Sequence, residues 1–312
     1  MALPTLAEVV RSGWVECTHV GSVLGLAPDG TTLVHLGTVD SPMLPRSANK
    51  PLQAVGMLRA GWQPADDEEI ALATASHSGE PIHLDVVRRM LAGAGLDPSA
   101  LGCPAQLPLG DDAADELLRN GGAASALTMN CSGKHAAMLA TCVSNGWPLE
   151  GYLLADHPLQ LALTSTIEAL AGEQVAHLAV DGCGAPQHAL SLRGLATAFS
   201  RLVRDEPVVA DAMRAHPLLV GGTGRDVSRL MAGVPGLLAK DGAEGFYAVA
   251  LADGTALALK IQDGAARARM PVVVAALRLL GVSAPVLDEL ATVPVRGGNR
   301  DVGEVRATSA LR

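Results

Sequence analysis

Aromatic side chains are scarce in this chain, with three Trp, two Tyr and two Phe among 312 residues. Few rings are left on which bases stack or around which broad recognition surfaces form. A formal charge of -9 at pH 7 adds a field that repels polyanions, so nucleic acid is not an expected partner. Long apolar runs are also missing. Residues 127–139 and 248–259 are interrupted by polar side chains well before the roughly 20 apolar positions that a membrane helix needs. The first eleven residues carry Glu8 and lack the basic start, apolar stretch and small-residue cleavage site of an export signal. A soluble, cytoplasmic protein without a membrane partner is expected. Five cysteines, an odd number outside any secretory context, argue against a disulfide framework and for reduced thiols or a metal site.

What the chain does have is Ala, Leu and Val, in a length sufficient for a substantial core. Residues 14–26 and 31–36 mix β-branched and apolar side chains around the turn Pro28-Asp29-Gly30, which predicts a hairpin. A second hairpin is predicted over 245–251 and 255–261 around Asp253-Gly254. Helical spacing of apolar residues predicts helices over 50–60, 81–94, 157–171, 186–202, 207–215 and 271–280, and a broken helical stretch over 111–140. The glycine-rich, charged tail from 296 to 312 reads as frayed. Strands at both ends around a helical middle predict an α+β fold in one domain over 1–312. Its α/β part covers about 1–75 and 240–312, and its helical part about 76–239.

The sharpest local pattern is Ser47-Ala48-Asn49-Lys50 at the start of a predicted helix. Positions i and i+3 share one helix face, so a hydroxyl and an amine come within mutual reach. A serine needs a neighbouring base to act as a nucleophile at neutral pH, and a lysine of lowered pKa can serve. The same spacing equally suits a helix cap followed by a surface lysine. Lys260 ends an apolar strand and can project toward Ser47, or be an ordinary exposed cation. Ser76 and Ser78 offer a second hydroxyl or a cap. Cys131-Ser132-Gly133-Lys134-His135 and Cys183 lie in glycine-bearing loops. Their thiols can converge on a metal, be buried as small apolar groups, or, for Cys131, act as a nucleophile with His135 as base. Arg46 can bind a substrate carboxylate or pair on the surface.

Four motifs then fall in one order: Pro45 to Lys50 (PRSANK), Ser76 to Glu80 (SHSGE), Met129 to His135 (MNCSGKH) and Asp181 to Gly184 (DGCG), with KIQDG from Lys260. Together they resemble the asparaginase II family, of the rhizobial type, over nearly the whole chain. The resemblance implies a fold similar to serine β-lactamases and glutaminases, with hydrolysis of L-asparagine to L-aspartate and ammonia by paired serine–lysine tandems. It implies Ser47 as nucleophile with Lys50 as its base, and Ser76 with Lys260 as the second tandem, although either serine can be the attacking group. It further implies zinc held by Cys131, Lys134 and Cys183. Substrate binding falls to Arg46, Asn130, His135 and Asp181, the last two also flanking the metal, and the assembly is a homodimer. Asn49 stands where members of the family often carry cysteine. The alternatives are another serine amidohydrolase, acting on glutamine or a β-lactam, and a non-catalytic zinc-binding protein.

Overall fold

Alternating apolar residues near both termini form strands, and the two ends of the chain meet in one sheet. The computed structural model describes residues 2–311. The chain opens with β1 (Thr5–Arg11), β2 (Trp14–Leu26) and β3 (Thr32–Leu36). A short 3-10 turn over Arg46–Asn49 leads directly into α1 (Lys50–Arg59), followed by α2 (Asp67–Ala73), α3 (Pro81–Gly93), α4 (Asp111–Arg119), α5 (Ser132–Asn145) and α6 (Pro158–Ala171). A small hairpin of β4 (Leu178–Val180) and β5 (Pro186–His188) precedes α7 (Leu192–Asp205), α8 (Pro207–Ala215), α9 (Pro217–Val220) and α10 (Asp226–Gly233). The chain returns to the sheet through β6 (Leu238–Asp241), β7 (Phe246–Ala250) and β8 (Ala256–Ile261), then runs through α11 (Arg269–Leu279) and α12 (Pro285–Leu290) into β9 (Thr292–Gly297) and β10 (Arg300–Ala307).

The main sheet has the order β6-β7-β8-β2-β1-β10-β9, with β3 added on β2, and every pairing is antiparallel. This confirms the α+β class and both predicted hairpins. Strands β6 and β7 are buried along their whole length. That pattern requires cover on both faces, and α7 and α11 both pack against β7 and β8. Helix α7 presents Leu195, Phe199, Leu202 and Val203 inward, an i, i+4, i+7, i+8 stripe. In the helical half, α1 and α5 are buried almost throughout. An all-round buried helix normally carries no charge, so Lys50 in α1 and Lys134 in α5 stand out at once as interior cations.

Three expectations need correction. The predicted helix over 186–202 begins only at Leu192. Its first residues instead form β5, paired to β4, and Ser191 caps the true helix by accepting from Gly194 N–H at 2.9 Å. The tail from 296 is not frayed: β10 pairs with both β9 and β1, and Arg306 bonds Glu8 at 2.8 Å across that seam. The stretch over 111–140 is two helices parted by a loop, since α4 stops at Arg119. Strands β1 and β6 carry no expectation from the pattern. Among the described residues no helix is long and apolar enough to cross a membrane.

Candidate active site

Three polar groups meet where α1, the end of α2 and β6 converge. After α2 the chain runs extended through Ser76-His77-Ser78, held by Ser76 N–H to Val220 O (3.2 Å), His77 N–H to Asn130 O (3.1 Å) and Ser78 N–H to Gly221 O (2.8 Å). The Ser76 hydroxyl lies 3.1 Å from Lys50 Nζ and 3.0 Å from Lys240 Nζ. All three residues are buried, with Lys240 fully so. Lys50 also donates to Ala75 O, and Lys240 donates to the backbone carbonyl and the carboxylate of Asp241. Burial lowers the Lys240 pKa from its usual value near 10.5 to about 8, with Lys50 and Arg225 pushing the same way and Asp241 opposing. A buried hydroxyl between two lysines, one of them with a lowered pKa, has the geometry to pass a proton from one amine to the other.

The sequence-based assignment of Lys260 to this place is overturned by the geometry. Lys260 is half-buried at the end of β8, donates to Glu244 O and lies 5.1 Å above the Phe246 ring. The lysine on Ser76 is Lys240, carried by a strand that its four residues left unrecognised. Its signal is readable afterwards: Leu237-Leu238-Ala239 is a short apolar run ending in Lys240-Asp241-Gly242, much as the apolar run before Lys260 ends in a charged, glycine-closed turn.

Ser47 sits in the 3-10 turn ahead of α1, partly exposed, and its carbonyl accepts from Lys50 N–H. Among the described residues no side-chain hydrogen bond joins Ser47 to Lys50, so the lysine one turn on serves Ser76 in this structure. Arg46 holds a positive φ of 53°, a conformation that costs a non-glycine residue energy and gathers at functional sites. It is fixed there by Asp181, whose carboxylate accepts from Arg46 Nε at 2.7 Å. Gly242 completes the junction. A Cβ on it would stand 2.4 Å from Pro45 O and 3.4 Å from Ala48 N, so the end of β6 touches the backbone that carries Ser47. Gly242→Ala must therefore push the Ser47 turn away from Lys240. We expect a loss in kcat on the order of 10²-fold, since displacements of this size misalign reacting groups, with a melting temperature lowered by only a few degrees. Steady-state rates and thermal melts of this variant check it.

Behind this cluster lies a second one, rich in sulfur. Cys131 precedes α5 and Cys183 sits in the β4–β5 turn, whose reversal needs the positive φ of 87° at Gly184. Lys134 Nζ donates to Cys183 Sγ at 3.1 Å, and Cys131, Lys134 and Cys183 are all buried. Cys183 is held far below a thiol's ordinary pKa by the neighbouring Cys131, with Lys134 and His135 acting the same way against burial, while Cys183 and burial push Cys131 well above it. Burial opposes the Lys134 charge, but the neighbouring Cys183, Cys131 and Asp181 reverse this and raise its pKa, so lysine and thiolate form an ion pair. Tyr152 OH accepts from Gly102 N–H at 2.9 Å and shares a hydrogen bond of 2.7 Å with His135 Nδ1. His135 Nε2 has no hydrogen-bond partner and lies toward Cys183.

The sequence-predicted residues thus divide. Lys50 and Ser76 meet directly, Ser47 lies in the adjoining turn, and Cys131, Lys134 and Cys183 form the neighbouring cluster. Arg46 and Asp181 bridge the two, because Asp181 Oδ2 is 3.8 Å from Cys183 Sγ. Asn130 lies between them, accepting from Cys131 Sγ at 3.2 Å and, through its carbonyl, from His77. His135 is fully buried beside the sulfurs and Tyr152. Among the described residues no group of three or more His, Cys, Asp or Glu side chains is placed to hold a metal. Two buried sulfurs, with an amine 3.1 Å from one of them, are donors of a kind that suits a thiophilic cation. Sequence reasoning also missed Asp241, Arg225 and Tyr152.

Residues 7–307 match the family model described as L-asparaginase II. Among curated proteins none matches the chain. Among solved structures the chain is similar to a β-lactamase from Mycobacterium bovis, at 13% identity over 84% of this chain and 89% of that one, with a TM-score of 0.42.

Proposed function

From the premise that the chain belongs to the L-asparaginase II family and is an amidohydrolase, we propose that it hydrolyses L-asparagine to L-aspartate and ammonia with Ser47, Lys50, Ser76 and Lys240. The observation that carries this reading is the Ser76 hydroxyl held between two buried lysines, 3.1 and 3.0 Å away. Two cations on one hydroxyl repel each other, so one proton is readily lost. Lys240, at about 8, is the partner inclined to lose it. Through Ser76 the vacancy passes to Lys50, whose neutral amine then takes the proton of Ser47. Ser47 Oγ attacks the side-chain amide carbon, and backbone N–H groups at the start of the helical segment stabilise the tetrahedral oxyanion. Ser76 returns a proton to the departing nitrogen, which leaves as ammonia, and water hydrolyses the aspartyl ester. Arg46, poised by Asp181, binds the substrate carboxylate, and Asn130 lines the same side.

Ammonia release from L-asparagine and L-glutamine, measured side by side, tests the substrate. Asparagine-selective turnover is the expected result. Turnover of glutamine alone, or of neither amide, contradicts it and favours another serine amidohydrolase.

We extend the proposal to a zinc ion held by Cys131, Lys134 and Cys183, supported by the buried thiol–thiolate pair and the amine in contact with it. Lys134 would bind as the free amine, releasing the proton it now lends to Cys183. When bound, zinc supplies an electrophilic anchor for a charged end of the substrate. The chain's own residues keep the pocket dry, and Asp181 ties the Arg46 turn to it. Cys183→Ser is expected to cut zinc retained after dialysis at least about tenfold. Elemental analysis showing undiminished zinc in that variant rejects this ligand set.

A further inference from the structure

Behind Ser76 and Lys240 lies a buried charge network that the proposed chemistry does not use. Lys240 Nζ has three partners: Ser76 Oγ at 3.0 Å, Asp241 O at 2.8 Å and Asp241 Oδ1. A neutral amine has two N–H bonds and one lone pair. With both N–H bonds taken by the carbonyl and carboxylate of Asp241, the lone pair is left facing the Ser76 hydroxyl, and on protonation the third N–H points the same way. The other oxygen of that carboxylate, Asp241 Oδ2, accepts from Arg225 Nη2 at 2.8 Å, and Arg225 Nη1 reaches Ser76 O at 3.3 Å. One guanidinium therefore grips both the backbone of the serine and the carboxylate that aims its lysine. Arg269 stands 3.9 Å from Asp241 Oδ2 and 3.7 Å from Asp226, and donates to Gly242 O at 2.8 Å.

We propose that Asp241 is a positioning residue that aims the Lys240 amine at Ser76, and that Arg225 is the counter-ion that sets how firmly the carboxylate holds the lysine's proton. The arrangement matches the logic of a base oriented by a third group, and it rests on the reading that this cluster hydrolyses amides. The groups facing the network are few. Lys240 faces Lys50, Asp241 and Arg225, while Asp241 also faces Arg269, Asp226 and the Tyr247 hydroxyl. Asp241 is held ionised, far below the usual carboxylate range: burial opposes this, but Lys240, Arg225 and Arg269 outweigh it. Burial raises the pKa of both Asp226 and Tyr247, with the Asp241 carboxylate acting the same way on each.

The sign of the effect on Lys240 follows from its neighbours. Asp241 raises its pKa and Arg225 lowers it. Asp241→Asn should let Lys240 lose its proton at lower pH, and Arg225→Met should make it keep the proton to higher pH. The experiment is the pH–rate profile for L-asparagine of the full-length parent, D241N and R225M, with folding checked by circular dichroism and thermal melts. The acidic limb is expected to move down by about one pH unit in D241N and up by about one in R225M. In D241N kcat at the plateau should fall about tenfold or more with KM little changed, and D241E should recover part of it. Limbs that stay in place, or that move in the same direction, overturn the proposal, because a merely structural role has no reason to give opposite signs. Should D241N fail to fold, the upward shift in R225M alone decides. A parent without asparaginase activity instead overturns the functional reading, so the two failures are distinct.

Discussion

Lys240→Met is expected to lower kcat for L-asparagine by about 10³-fold, while Lys260→Met should stay within about threefold of the parent. The two lysines look alike in sequence, each closing an apolar run before a glycine turn, and the contrast isolates what the fold does with them. Lys240 is fully buried, touches Ser76 and has its pKa drawn down to about 8. Lys260 spends its charge on a backbone carbonyl and an aromatic face at the sheet's end. Methionine keeps most of the apolar stem in each case, and Asp241 retains Arg225 and Arg269 as counter-ions after the substitution. The Lys240 variant should therefore remain folded, and a melting curve run with the kinetics shows whether it does. Equal losses in both variants, or a larger loss at Lys260, would contradict the assignment.

Ser47→Ala is expected to remove more, about 10⁵-fold in kcat, whereas Ser76→Ala should leave an enzyme slowed by about 10² to 10³-fold. The difference follows from placement. Ser47 is partly exposed at the start of a helical segment, beside the strained Arg46, where a substrate carbonyl can approach. Ser76 is 5% exposed, and both lysine nitrogens already lie against its hydroxyl. A group so enclosed moves protons well and reaches a substrate poorly. Removing the relay slows the proton steps, and removing the attacking oxygen ends covalent chemistry. The double variant should be no slower than Ser47→Ala alone, because groups that act in one step do not add. A Ser76→Ala loss equal to or deeper than that of Ser47→Ala would exchange the two roles.

The sequence patterns read most truly where local physics decides. Turn residues fix the hairpins around Asp29-Gly30 and Asp253-Gly254, and apolar spacing fixes α1, α3 and α6, with their caps within a residue or two. The meeting of Lys50 and Ser76 was legible because the motifs around them lie in one order along the chain. Lys240 was not, because a four-residue strand buried on both faces has no alternation to reveal it, and β8, two strands along the sheet, came with a more conspicuous lysine. β5 was misread for a related reason. Its three residues run into α7 through a short apolar stretch that fits helical spacing, and only its pairing with β4 makes it a strand. The β9–β10 hairpin looked frayed because Gly and charge dominate it, yet it is held by β1, some 300 residues earlier in the chain. His135 was legible as a polar residue in a motif, whereas its partner Tyr152, 17 residues on, carried no pattern to announce it.

The central claim is that Ser47 carries the acyl group during asparagine hydrolysis. It is tested most directly by quenching the enzyme in acid during turnover of L-asparagine and mapping the modified peptide by mass spectrometry. The account predicts an aspartyl ester on Ser47, absent from Ser47→Ala and longer-lived in Ser76→Ala. An ester on Ser76 or on Cys131, or turnover of asparagine with no ester on any residue, would contradict it.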